Sequence, residues 1–112
     1  MGVMKSINPA TGEVMAEHET LTDAELEERL ASAADRFRSY RHTSLDDRQR
    51  WMRRAADLLE TEKRKWGELM TREMGKPINA AIAEAEKCAW VCRYYADHAA
   101  EFLADEPVDA DA

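Results

Sequence analysis

Glycine, proline and cysteine are scarce in this sequence, and their scarcity excludes several kinds of site. The four glycines among 112 residues are scattered, so neither a GxGxxG motif nor a P-loop is present to cradle phosphate groups. The two cysteines, Cys88 and Cys92, lie four residues apart, which on a helix is poor geometry for a disulfide. No long apolar run and no signal peptide is visible. These absences favour a reducing, cytoplasmic location and no membrane partner.

Positive charge is also in short supply. The sequence carries 23 acidic and 16 basic residues, a formal charge of −7. Such a surface repels phosphate backbones, so no nucleic-acid partner is expected. The 19 alanines account for much of the apolar fraction, and each buries little area. We therefore expect one domain with a marginal core, part of whose apolar surface contacts a partner.

The first segment predicts a β-hairpin over residues 4–17. Two short extended runs flank the sequence Asn8-Pro9-Ala10-Thr11-Gly12, in which proline fixes a turn and glycine takes the left-handed conformation that closes it. An isolated hairpin is marginal in water. We therefore expect these strands to contact another part of the protein.

Three helices and an acidic tail are predicted after the hairpin, at residues 23–41, 45–74, 77–104 and 105–112. Thr22 and Glu25 form a capping box at the first start, Ser44 caps the second helix, and Gly75 ends it. The second helix is expected to bend near Gly67. The predicted fold class is mainly α, a hairpin followed by three helices.

Apolar residues recur at helical spacing in these segments and predict packing faces. In the first helix they form one stripe, made of Leu26, Leu30, Ala33, Phe37 and Tyr40. In the last helix they share a side that includes Ile82, Ala85, Ala89 and Cys92. The opposite faces are charged and predicted to be solvated.

Cys88 and Cys92 are the first candidates for a metal site or a nucleophile. Two residues four apart on a helix can touch one metal, but a structural zinc needs four ligands. His98 is rotated away from both cysteines, and His18 and His42 lie in other segments. Neither cysteine has an adjacent base or oxyanion hole. We therefore predict no metal ligand and no nucleophile here, and interpret both cysteines as helix-packing residues.

Carboxylates are plentiful, but most are predicted to lie on solvated helix faces. Glu84 and Glu86 are two residues apart and cannot face each other on a helix. Glu73 precedes a turn, and the sequence shows no partner for it. Composition and periodicity alone therefore indicate a helical, acidic module without defined chemistry.

Three stretches together resemble a known family. They are "INPATGEV" at 7–14, "EMGKPINAAIAEAEK" at 73–87 and "CAWVCRYYADHAAEFL" at 88–103. In this order they resemble the N-terminal portion of NAD(P)-dependent aldehyde dehydrogenases, closest to the succinate-semialdehyde dehydrogenase branch. The intervening "FRSYRHTSLDDRQRWMRRAADLLE" is similar to the family too, so the resemblance covers nearly the whole chain.

This resemblance implies that residues 1–104 are the N-terminal segment of a larger α/β oxidoreductase. Such enzymes attack the aldehyde, here succinate semialdehyde, with a cysteine, pass hydride to NAD or NADP, and use a glutamate to activate water. Neither Cys88 nor Cys92 stands in the nucleophile's motif, and Glu73 and Lys76 match a helix end and turn. The resemblance therefore implies no catalytic, cofactor-binding or metal-binding residue in this chain.

Three functional hypotheses remain open from the sequence. In the first, the chain is a scaffold piece of the dehydrogenase, inactive and without cofactor when alone, and its partner is the remainder of the enzyme. In the second, it is one subunit of a split dehydrogenase whose other chain carries the reacting groups. In the third, it is a non-enzymatic helical module that self-associates through its long second helix.

Overall fold

The computed structural model describes residues 2–110, and it contains a two-stranded hairpin followed by four helices. The elements are β1 (Val3–Ile7), β2 (Val14–Glu19), α1 (Asp23–Tyr40), α2 (Leu45–Thr61), α3 (Lys63–Met74) and α4 (Ile78–Phe102). The mainly α fold class with an N-terminal hairpin is confirmed. Residues 105–110 of the predicted acidic tail have no regular structure and are exposed, while 111 and 112 lie outside the described residues.

The hairpin is antiparallel and is closed by the predicted turn. Its register runs from Val3 opposite Glu19 to Ile7 opposite Val14, with an irregularity before the turn. Gly12 has a φ of 77°, and its N–H donates to the carbonyl oxygen of Asn8 at 2.8 Å. Because an L side chain rarely adopts that φ, glycine is the residue that allows the tight closure.

The predicted second helix is interrupted, so the structure has four helices where three were expected. The interruption lies at Glu62, which has a φ of −103° and a ψ of 14°. The expected bend at Gly67 is wrong, because Gly67 is buried inside α3. Neither glycine nor proline lies at Glu62, so the sequence carried no local signal for the break. Both halves pack on α4.

The core is a seam of small residues between α4 and the pair α2 and α3. Among residues 2–110 the buried apolar side chains are alanines: Ala56, Ala81, Ala85, Ala89 and Ala96. Gly67 lies so close to α4 that a Cβ there would be 2.7 Å from Ile82 Cγ1. Small side chains let the helix axes approach, but they remove little apolar area from water.

Ion pairs between these helices show that α4 runs antiparallel to α2 and α3. Arg53 meets Asp97 at 2.8 Å, whereas Lys63, ten positions later, meets Glu86 at 2.7 Å. The partner's number falls as the residue number rises, which is the antiparallel order. We call α2, α3 and α4 together the helical unit.

The described chain is extended. Its radius of gyration is 20.0 Å and its extents are 67 × 40 × 25 Å. A compact domain of this length would have a radius of gyration of about 13 Å. Neither the hairpin nor α1 packs extensively on the helical unit. In residues 2–110 no helix has the combination of length and apolar character needed to traverse a bilayer.

Candidate functional site

The structure separates the two cysteines from the histidines. Cys88 is exposed on α4 and Cys92 is half-buried, so the expected packing role is wrong for Cys88 and fits Cys92 alone. The His98 ring lies 4.5 Å from the Tyr94 ring, and its Nδ1 is 3.8 Å from Glu101. His18 lies in β2, and no group of three potential metal ligands is found across residues 2–110.

Glu73 has a structural partner that the sequence did not reveal. The Ser6 hydroxyl donates to Glu73 Oε1 at 2.7 Å, across 67 residues of sequence. Beside this contact, a Cβ on Gly75 would lie 3.3 Å from Pro9 Cγ, and Gly75 has a φ of 74°. The "GKP" stretch is thus a helix end that receives the hairpin turn. Glu73 therefore anchors the hairpin at this helix end.

The other carboxylates considered each bind a lysine. Lys76 pairs with Glu84 across the turn between α3 and α4. Lys63 contacts Glu86 at 2.7 Å and Glu60 at 3.0 Å, and these hydrogen bonds raise the pKa of the Lys63 ammonium. The two glutamates therefore take different cations, in agreement with the prediction that they do not face each other. These exposed pairs set helix register and contribute little to stability.

A shallow groove on the first half of α4 contains two ammonium groups above a floor of alanines. It is lined by Lys76, Ala80, Ala83, Glu84, Lys87 and Cys88. Glu84 already neutralises Lys76. The exposed Cys88 thiol has no imidazole beside it in the lining, so the groove lacks the paired nucleophile and base that acyl chemistry needs.

The most distinctive surface of the chain is an apolar one. We define the α1 stripe as Leu26, Leu30, Phe37 and Tyr40, whose exposed fractions are 47, 55, 57 and 44%. All 18 residues of α1 are exposed. An apolar row on a helix normally faces a core or a partner, because water contact with it is unfavourable. The stripe therefore has the composition of a contact surface, although it is exposed in the described residues.

A second apolar surface lies on α4, and we define the α4 aromatic row as Trp90, Tyr94, His98 and Phe102. Its members follow one another at four-residue spacing along one side of the helix. The ring centroids of Trp90 and Tyr94 are 5.7 Å apart, and those of His98 and Phe102 are 5.9 Å apart. Trp90 and Phe102 are more than half exposed. Unlike the α1 stripe, this row is stabilised by contacts among its own rings.

One arginine fixes the end of α1 against the start of α2. Arg48 Nε donates to Thr43 Oγ1 at 2.9 Å, and its Nη2 donates to the Tyr40 carbonyl oxygen at 3.1 Å. The guanidinium also lies 4.8 Å from the Tyr40 ring centroid, and the Trp51 ring stacks on Tyr40 at 6.0 Å. Sequence reasoning missed Arg48. The available signal was an arginine in the first turns of a capped helix that directly follows another helix end.

The family comparison covers almost the entire chain. The aldehyde dehydrogenase family profile matches residues 2–111. A probable NADP(+)-dependent succinate-semialdehyde dehydrogenase of Synechocystis is 49% identical over 107 residues, which are 96% of this chain and 24% of that protein. An NADP(+)-dependent succinate-semialdehyde dehydrogenase of Mycobacterium tuberculosis is 50% identical over 105 residues, 94% of this chain and 23% of that protein.

A solved structure has the same arrangement of elements. The succinic semialdehyde dehydrogenase of Streptococcus pyogenes, solved in complex with NADP+, matches with a TM-score of 0.88 at 33% identity, over 96% of this chain and 24% of that one. The chain thus spans about a quarter of the length of these relatives. The profile match and the structural match together show that the chain belongs to the aldehyde dehydrogenase family.

Proposed function

We propose that this chain is the N-terminal scaffold of an NADP-dependent succinate-semialdehyde dehydrogenase, and that the reacting groups belong to the remainder of that enzyme. The relatives that match it over 94% or more of its length carry that activity in their names. The observation that carries the scaffold role is the alanine-only core beside a fully exposed α1. Such a chain has the exposed faces of a structural segment.

Two of the helix starts in this chain are already occupied by side-chain caps. A pyrophosphate binds at a helix start where backbone N–H groups are free, usually after a glycine-rich turn. At α1 the Thr22 side chain accepts from Glu25 N–H, and at α2 the Ser44 side chain accepts from Asp47 N–H. Each of these side chains thus takes a donor that an anion would need.

In the complete enzyme the reaction would convert an aldehyde, water and NADP+ into a carboxylate, NADPH and two protons. The role of this chain would be to hold the cofactor-binding portion in position. The test is a graft in which residues 2–110 replace the matched quarter of the Synechocystis relative. We expect the graft to oxidise succinate semialdehyde with NADP+, and the isolated chain to give no turnover. An inactive graft, or an active isolated chain, would contradict the proposal.

The split-enzyme hypothesis makes the same scaffold a separate subunit. Co-expression with the remaining three quarters of the Synechocystis relative tests it, because a split enzyme would form a stable complex that turns over. A soluble companion without complex or activity would argue against it. The choice of NADP belongs to this proposal, because the sequence left NAD and NADP open. The absence of nucleic-acid and membrane partners and the cytoplasmic location stay predictions.

A non-enzymatic interaction module has one observation in its favour, the unpaired α1 stripe. The self-association expected from the sequence would have to use a face of α2 and α3 that is not already packed on α4. A discrete, stable oligomer of the pure chain in light scattering would favour the module, and a monomer would favour the scaffold.

A further inference from the structure

We propose that Arg41 and Arg48 form a carboxylate-binding groove, and that its occupant is the acidic segment of the same chain that follows α4. We define the acidic segment as residues 105–109, which include Asp105, Glu106 and Asp109. The inference goes beyond the proposed function, because both the site and its occupant belong to this chain. The lining of the groove, the contacts of its two arginines and the position of the segment carry it.

The groove lies where the end of α4 meets the connection between α1 and α2. It has a volume of about 310 Å³ and is lined by Arg41, Thr43, Leu45, Arg48 and Leu103. Leu103 directly follows α4 and is 70% exposed. The groove thus combines two guanidinium groups with two leucine side chains. A carboxylate on a short stem fits this combination, because it pairs with guanidinium groups and its stem lies against the leucines.

The two arginines have donors to spare. Arg48 donates from Nε to Thr43 Oγ1 and from Nη2 to the Tyr40 carbonyl oxygen, and both acceptors are neutral. The ion pairs of arginines in residues 2–110 include neither Arg41 nor Arg48. A guanidinium carries five N–H donors. Positive charge is therefore left unpaired at this groove in a chain whose formal charge is −7.

The nearest acidic residue of the lining helix is already engaged. Asp47 lies in the first turn of α2, where it bonds the Ser44 hydroxyl and pairs with Arg50. On the α4 side, Glu101 contacts His98 at 3.8 Å. The acidic segment supplies the next carboxylates along the chain, so charge complementarity selects it as the occupant.

The acidic segment begins two residues beyond the groove wall. Leu103 lines the groove, and only Ala104 separates it from Asp105 and Glu106. An extended chain advances about 3.3–3.6 Å per residue, so both carboxylates can reach the groove while α4 stays in place. Pro107 favours an extended backbone at Glu106. The segment is exposed and without regular structure, so its closure disrupts no helix or strand.

Closure of the acidic segment would join the end of α4 to the connection between α1 and α2. Arg48 is half-buried and already oriented by Tyr40 and Thr43, so binding a carboxylate immobilises little more of its side chain. The planar guanidinium fork also binds both oxygens of one carboxylate. The closed segment would cover Leu103, whose side chain is otherwise in water. The acidic segment therefore acts as a strap across this end of the chain.

The strap is tested in the full chain with spin labels at Ser39→Cys, near the end of α1, and at Val108→Cys in the acidic segment. Cys88 and Cys92 are replaced by serine and alanine in this background. At low salt we expect a short, narrow distance distribution between the labels. In about 1 M NaCl, where the Debye length is about 3 Å, we expect a longer and broader one.

Single-site variants identify the groups that hold the strap. Arg41→Gln is the variant of choice, because the Arg41 guanidinium lies 5.9 Å from the Phe37 ring and the Arg48 hydrogen bonds remain. At low salt it should reduce the short-distance population about threefold, the effect of losing one ion pair. Arg54→Gln, which removes an exposed arginine of α2 outside the groove lining, should leave the population unchanged.

The acidic side is tested by the double variant Asp105→Asn with Glu106→Gln, which keeps side-chain size and removes charge. It should reduce the short-distance population as Arg41→Gln does, and Glu101→Gln, in the last turn of α4, should not. Combined with Arg41→Gln, the double variant should add little, because the groups act on one contact. Fully additive effects would show separate contacts and would overturn the pairing.

Three further results would overturn the proposal. A short distance that survives both Arg41→Gln and high salt would remove the groove as the cause. Release of the segment by sodium succinate or sodium phosphate, at an ionic strength at which sodium chloride has no effect, would make a free anion the occupant. A short-distance population that grows with protein concentration would make a second copy the occupant. None of these measurements uses turnover, so their failure leaves the proposed function unaffected.

Discussion

The two helical regions of this chain reach the same secondary structure by different means. The helical unit is stabilised by contact, since α2 and α3 pack on α4 through alanines and Gly67. By contrast, α1 has no buried residue and depends on its capping box and on Arg48 at its end. The comparison teaches that a regular helix in this fold is no sign of a local core. It also identifies the α1 stripe as an apolar face that is exposed in the described residues.

The largest expected effect comes from the close approach in the helical unit. In Gly67→Val a Cβ would lie 2.7 Å from Ile82 Cγ1 and 3.1 Å from the Ile82 backbone nitrogen. Overpacking of this kind costs about 1–3 kcal/mol, more than the few tenths that valine gains over glycine in helix propensity. We expect the free energy of unfolding to fall by about 2 kcal/mol in urea titrations followed by circular dichroism.

Ala31→Val in α1 is the matched control for this prediction. It also adds a β-branched side chain to a helix, but α1 is exposed there. Only the propensity difference of about 0.5 kcal/mol applies. If both substitutions destabilise the chain equally, the contrast between the packed helical unit and the exposed α1 is wrong.

A smaller effect is expected where the hairpin is tied to the helical unit. Ser6→Ala removes the hydrogen bond to Glu73, which contributes about 1 kcal/mol at an exposed site. The hairpin would then resemble α1, an element with local structure and little contact. We expect faster amide exchange in residues 3–19 and unchanged exchange in α4, measured by hydrogen–deuterium exchange.

Thr11→Ala is the control for the tether, because the Thr11 hydroxyl bonds only within the turn, to Glu13. It should alter exchange in the turn and leave the strands near Ser6 unchanged. Equal exchange of the hairpin in the Ser6 variant and the unmodified chain would show that Pro9 and Gly75 hold it without the hydroxyl.

The cross-helix ion pairs give a still smaller effect. Asp97→Asn removes the partner of Arg53 at 2.8 Å, and exposed pairs contribute about 0.2–1 kcal/mol. We expect a small fall in melting temperature at low salt and almost none at high salt, since salt screens the pair. Asp35→Asn, which removes a 3.8 Å pair within α1, should not change the melting of the helical unit. A larger loss at high salt would point to packing instead of charge.

The sequence predicted the local features of this fold better than its long-range ones. Thr22 with Glu25, Ser44 and Gly75 act within a few residues of themselves, and each is found in its predicted role. The contact of Gly67 with Ile82 joins α3 to α4, and the break at Glu62 lies where neither glycine nor proline marks it. They were missed because no local pattern records which surfaces meet.

The candidate site shows the same division. The family resemblance was readable because it rests on the order of local stretches, and the profile match over residues 2–111 agrees with it. Ser6 as the partner of Glu73 was not readable, because 67 residues separate them. Exposure of Cys88 was missed for a related reason: helical spacing alone does not say which side of α4 meets α2 and α3, and Cys88 lies in the surface groove instead.

The smallest expected effect is acid fraying of α1, and it tests the comparison most directly. Hydrogen bonds from the Thr22 backbone and then its side chain hold the pKa of Glu25 below its ordinary value of 4.5. Since the folded pKa is the lower one, the cap contributes fully above pH 4.5, and its contribution is lost as the pH falls through the folded pKa. Asp47 at the start of α2 behaves alike, because Ser44 lowers its pKa from 3.8.

The two caps are electrostatically similar, but only one of them begins a packed helix. Loss of the Glu25 cap should therefore appear directly as lower amide protection factors in the first turns of α1 as the pH falls from 4.5 through the folded pKa. Loss of the Asp47 cap should be masked, because α2 remains in contact with α4. Glu25→Gln should remove this pH dependence of the protection factors in α1. Equal fraying of both helices in acid would mean that packing on α4 does not stabilise the start of α2. The distinction between α1 and the helical unit would then fail.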